Sequence, residues 1–217
     1  MRPLGSPGTR FALASATLVL TAKVARNAEV RPTEERFFRA VNDLPGLGFP
    51  LAWLVMQCGN VAAVPVTALA ALAGGDRRLA ARLLLAGATT WALAKAIKRR
   101  ARRPRPAVLL SGVHCPGGEH RGLGYVSGHA GVVVSLTAAA LPRLGPGARA
   151  GVVVLAAAVA LARVYVGAHL PLDIVGGAAL GLGVEALVSV VGNSVGNFRG
   201  TARRLHIGAR SRRDLVP

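Results

Sequence analysis

The residues of this chain best suited to chemistry fall in three clusters. The first is KRRARRPRP, Lys98–Pro106, with Lys98 and Arg103 leading to Arg105-Pro106. The second is Ser127-Gly128-His129, and the third spaces Arg163, His169 and Asp173. Ser127 suits a helix N-cap, Gly128 lets backbone approach a ligand, and the free N–H groups of a helix start attract anions. Pro171 suits a first helical position, which puts His169 just before a helix and Asp173 in its first turn. Four residues apart, the Asp173 carboxylate can reach one ring nitrogen of His169, fix its tautomer and leave the other free to attack. Two histidines on opposite sides of a phosphate, with Lys and Arg around it, supply a nucleophile, a general acid and a charge clamp. That is a constellation for phosphoryl transfer.

The elements that must position these clusters are apolar. Hydrophobic residues make up 52% of the 217, too many for a typical soluble domain, and charges are confined to short blocks. Lys and Arg number 27 against 9 Asp and Glu, yet aromatics are only 4%. A nucleic-acid binder of that charge would spread it over a polar surface with aromatics for stacking, so no nucleic-acid partner is expected. Cys58 and Cys115 make neither a disulfide framework nor a CxxC pair.

Residues 11–22 read as an uncleaved apolar anchor and 26–43 as a short interfacial helix with Phe37, Phe38 and Val41 on one side. Spans are expected within 44–75, over 79–97 and 122–142, from 150 through the VYVG after Arg163, and over 170–192. The reading is an all-α, polytopic membrane protein of about six transmembrane helices. It forms one domain over 1–217, with a core at 45–192 and a basic tail at 199–217. All three clusters then lie at span ends on one side of the membrane. Basic residues are nearly balanced between the two sides, so charge alone does not orient the chain.

The three clusters together resemble the signature of the type 2 phosphatidic acid phosphatase superfamily, K-x6-R-P, then P-S-G-H, then S-R-x5-H-x3-D. The first part is complete here from Lys98 to Arg105-Pro106. The second reads VSGH, with Val126 in place of proline, and the third ARVYVGAHLPLD, with Ala162 in place of serine. The resemblance implies a phosphatase core bundle and hydrolysis of a lipid phosphomonoester or pyrophosphate through a phosphohistidine. His169 would be the nucleophile, Asp173 its orienting partner and His129 the acid for the leaving group. Lys98, Arg105, Arg163, Ser127 and the Gly128 N–H would hold the phosphate. It further implies no metal or other cofactor, a phospholipid or polyprenyl phosphate substrate, and an extracytoplasmic site in a multi-pass cell-membrane protein. The departures at Val126 and Ala162 leave an alternative, a non-catalytic lipid-phosphate-binding scaffold of the same fold. The loop HCPGGEH matches no strong metal-site spacing and reads as a lid. Glu185 lies inside the last span with no visible partner. Substrate identity and oligomeric state carry no readable signal.

Overall fold

The computed structural model describes residues 5–45, 48–118 and 120–213, and side chains as far as residue 192. The described residues form α1 (Pro7–Ala25), α2 (Pro32–Asn42), α3 (Phe49–Gln57), α4 (Ala63–Ala73), α5 (Arg77–Ala101), α6 (Pro106–Leu109), α7 (Gly128–Ala140), α8 (Pro146–Tyr165) and α9 (Pro171–Arg213). They include no strand, so the all-α expectation holds. An isolated antiparallel bridge, Pro104 to Leu123, sets the loop after α5 against the loop before α7.

Local chemistry explains the boundaries. Proline opens α1, α2, α6, α8 and α9, where its missing N–H costs nothing. Ser6, Asp76 and Ser127 cap α1, α5 and α7 by accepting from the N–H groups of Thr9, Leu79 and Ala130. Arg102 ends α5 in the left-handed region at φ 51°.

The expected spans are redrawn. The uncharged stretch 44–75 is two helices, because Gly59-Asn60 makes a turn in which Asn60 Oδ1 accepts from the Ala62 N–H. The fourth expected span begins at Gly128 rather than at residue 122, and α9 runs on through the expected tail to Arg213. Only α8 and α9, the latter through Gly192, are both long and apolar enough to cross a membrane among the described residues. In α2 the expected shared face divides: Phe38 is buried against Val164 and Leu170, while Phe37 is half exposed.

Close backbone contact joins α7 to α9. A Cβ on Gly177 would strike the Ser127 carbonyl, and one on Gly181 would strike that of Gly131. Only glycine lets these helices approach so closely. The contact places the first turns of both helices side by side, where the Ser127 N–H donates to the Asp173 carbonyl at 2.9 Å.

Glu185 has partners after all, its two cations supplied by other helices and a hydroxyl by its own. Arg10 of α1 donates to its Oε2 at 2.7 Å, Arg82 of α5 pairs with Oε1, and Ser189 donates to Oε1 at 2.6 Å. The sequence hid this because the partners lie 175 and 103 residues away. A fully buried carboxylate between two cations ties three helices together. Glu185→Ala strands both arginines and should destabilise the protein by about 3–5 kcal/mol. Replacing all three charged residues with Met or Leu should recover most of that loss. Thermal unfolding in detergent compares the two variants; equal melting temperatures would count against the cluster as a staple.

Candidate active site

The α5 C-terminus, the loop after it, the α7 start and the α8–α9 connection converge on a cavity of about 240 Å³. Of the residues expected at the site, Lys98, Arg105, Gly128, His129, Arg163 and His169 line it. Ser127 and Asp173 are fully buried and do not. Ser127 Oγ accepts from the Ala130 N–H at 3.4 Å, which is capping work. A Cβ on Gly128 would meet nothing within 4 Å, so the α7 start faces open space.

The clamp cations are held by carbonyls and a thioether, with no carboxylate in the cavity lining. Lys98 donates to the Leu123 and Gly124 carbonyls at 2.9 and 2.8 Å, and Arg105 donates to that of Ala168 at 2.7 Å. Arg163 donates to Met56 Sδ at 3.1 Å, a weak acceptor. The Nε groups of Arg105 and Arg163 are buried without partners. Three cations with spare donors around one small space are arranged for an anion.

His169 is buried, with Nδ1 3.5 Å from Asp173 Oδ2. The two groups face each other at that distance, but no hydrogen bond forms. Catalytic contacts of this kind often tighten only when substrate binds. Burial, then the charges of Lys98, Arg163 and Arg105, hold the His169 imidazole well below the usual histidine range. It therefore stands neutral, with a lone pair available to attack.

Behind the cavity lies a residue whose importance the sequence concealed. Arg103 is 1% exposed and donates to Asp173 Oδ1 at 3.0 Å and to Glu34 Oε1 and Oε2 at 3.1 and 2.8 Å. Burial opposes its charge, but the Glu34 and Asp173 carboxylates outweigh that and raise its pKa above the ordinary value. Glu34 Oε1 also accepts from the Leu172 N–H and Asp173 Oδ2 from that of Leu170, both at 3.0 Å. A lone carboxylate in a mixed-charge helix gives no hint that it caps a helix 138 residues away. In the sequence, Arg103 falls in the first cluster but shows no role of its own.

The 111–120 loop packs over the α8–α9 connection. Asn42 Nδ2 donates to the His114 and Tyr165 carbonyls, and Asn42 Oδ1 accepts from the His114 N–H. Gly167, at φ 66°, leaves no room for a Cβ beside the His114 carbonyl and Cys115 Sγ. His120 Nε2 is buried without a partner, and burial followed by Arg163 and Arg105 lowers the pKa of its ring. Among the described residues, no group of three His, Cys, Asp or Glu is placed to hold a metal ion.

In ligand-free protein the His169 ring should take up no proton as pH falls through about 6.5, where an ordinary histidine titrates. Histidine NMR signals in detergent, assigned with His169→Ala, check this. A midpoint at or above that pH would contradict the electrostatics described.

Comparison with known proteins follows the same three clusters. No curated relative matches. LpxE from Aquifex aeolicus is similar in structure, with a TM-score of 0.68 and 20% identity over 74% of this chain and 96% of that one. The first transmembrane PAP2 type phosphatidylglycerolphosphate phosphatase from Bacillus subtilis gives a TM-score of 0.60 and 19% identity, over 83% and 96%. At such identities these likenesses speak for the fold. The family model of the PAP2 superfamily matches residues 79–195, more than half of the chain and all three clusters, and the chain belongs to that superfamily.

Proposed function

We propose that this protein is a multi-pass membrane phosphatase that removes a terminal phosphate from a phosphomonoester or pyrophosphate of a lipid. The observation that carries the reading is the cavity in which His129 and His169 meet four cations, Lys95, Lys98, Arg105 and Arg163, and no carboxylate. The resemblance to transmembrane phosphatases and the apolar residues exposed on the helices, Leu13, Leu54, Leu69, Leu85 and Val154 among them, support a lipid setting.

The proposed chemistry assigns each group a step. Asp173 keeps the proton on His169 Nδ1, and Nε2 attacks phosphorus. An N–P bond forms as the P–O bond to the leaving group breaks, and the leaving oxygen takes a proton from His129. Water then attacks the phosphohistidine, gives its proton to His129 and releases phosphate. Lys98, Arg105, Arg163 and the N–H groups at the α7 start hold the phosphoryl oxygens and stabilise the charge they gather.

Wild-type protein in detergent should release phosphate from lipid phosphates with chelator present, and His169→Ala should lose at least about a thousandfold of that rate. Wild type should also take up label from a terminally labelled substrate in an acid-labile, alkali-stable form that His169→Ala lacks. Lipid binding without release, by folded wild type, would favour the scaffold reading. The termini are placed in the cytoplasm and the site outside; a reporter fused after Thr201 should therefore read as internal, and an external reading reverses that orientation.

A further inference from the structure

Resting on the phosphatase reading, we propose that Lys95 is a specificity residue that holds a second anionic group on the leaving-group side. The preferred substrate is then one whose lipid product keeps a phosphate.

The cavity lining divides by role: Lys98, Arg105, Arg163 and His169 are the proposed clamp and nucleophile, and Gly59, Asn60, Val61, Trp91, Ala94 and Lys95 make up a second pole. Lys95 precedes Lys98 by three residues on α5, so both share a helix face, separated by roughly 4.5 Å along the axis. Gly59 lies against the His129 backbone, where a Cβ would come 2.8 Å from the carbonyl oxygen, and Trp91 packs on the cluster that holds Val132, three residues further along α7. His129 is the residue proposed to protonate the leaving oxygen, so this pole receives what departs.

Lys95 is free to act there. It makes no ion pair among the described residues, and its Nζ lies 4.0 Å from the centroid of the Trp91 ring. A cation resting on an aromatic face keeps its three N–H donors available. The cavity, about 240 Å³, is smaller than the roughly 300–1,000 Å³ of sites that enclose whole ligands. It suits a charged head group while the lipid chain stays outside. When the P–O bond breaks, a leaving phosphate carries its negative charge onto the second pole, where Lys95 stabilises it. A neutral alcohol leaving there gives Lys95 nothing to hold.

The second phosphate can be the inner phosphate of a lipid diphosphate or the phosphodiester of a phosphoglycerol phosphate. The test compares wild type, Lys95→Gln and Lys95→Arg on three substrates. They are an isoprenyl diphosphate, the isoprenyl monophosphate of the same chain, and a diacyl phosphoglycerol phosphate. Lys95→Gln should lower kcat/KM about tenfold more on one or both substrates with an anionic leaving group than on the monophosphate. Lys95→Arg should restore most of that difference, and the more affected substrate identifies the source of the second phosphate. Equal losses on all three, or no loss on any, would overturn the role of Lys95 while leaving the phosphatase reading intact. Wild type that releases phosphate from none of them would overturn both.

Discussion

A guanidinium buried in protein must be paired, and the pairing of Arg103 with Glu34 and Asp173 organises everything around the cavity. Each Asp173 oxygen is committed, Oδ1 to Arg103 and Oδ2 to the Leu170 N–H, and Oδ2 faces His169 Nδ1 at 3.5 Å. The carboxylate cannot turn without breaking one of these contacts, so the orientation of the His169 ring is inherited from Arg103. Glu34 extends the constraint to α2, whose side chain closes the start of α9 through the Leu172 N–H. The loop after α5 thus serves two purposes with neighbouring arginines. Arg103 points back to brace the site, and Arg105 lines the cavity.

The second constraint is steric. The glycines of α7 and α9 let two helix starts lie almost in contact, and each start supplies one histidine. Helix starts concentrate free N–H groups, and the three cations add to the same positive field. His169 stays neutral within it because burial and those cations both oppose protonation. Electrostatics therefore works in two senses at once: it favours an anion in the cavity and keeps the His169 imidazole unprotonated.

The chemistry was more legible in the sequence than the architecture was. Lys98, Arg105, His129, Arg163 and His169 could be read because their spacing is local to three short stretches, and all five line one cavity. Arg103 and Glu34 could not be distinguished from other charged residues, since their meaning lies in a contact across 69 positions. The partners of Glu185 were hidden for the same reason. The 44–75 stretch misled because absence of charge reports burial in an apolar medium and says nothing of a turn. Gly59-Asn60 carried that information, and its purpose shows only beside His129. The α7 boundary shifted likewise: residues 122–127 are uncharged yet form the loop whose Leu123 and Gly124 carbonyls seat Lys98.

The two departures from the family signature acquire different weights in this setting. Val126 is fully buried and packs with Ala25, Ala94 and Tyr125, so an apolar residue fits the position on packing grounds. Ala162 packs with Ala52, Met56, Tyr165, Val166 and Ala168, next to the arginine that donates to Met56 Sδ. A thioether is a poor acceptor, and Arg163 gives up little by turning to a phosphate oxygen. A serine at 162 would add a hydroxyl beside Arg163, where this chain has only an alanine methyl packed among apolar residues. Under the proposed function the phosphate contacts then fall to Lys98, Arg105, Arg163 and the α7 start. A clamp so dominated by charge is selective for the charge of its ligand, and a further cation on the same helix face extends that preference toward the group beyond the phosphorus.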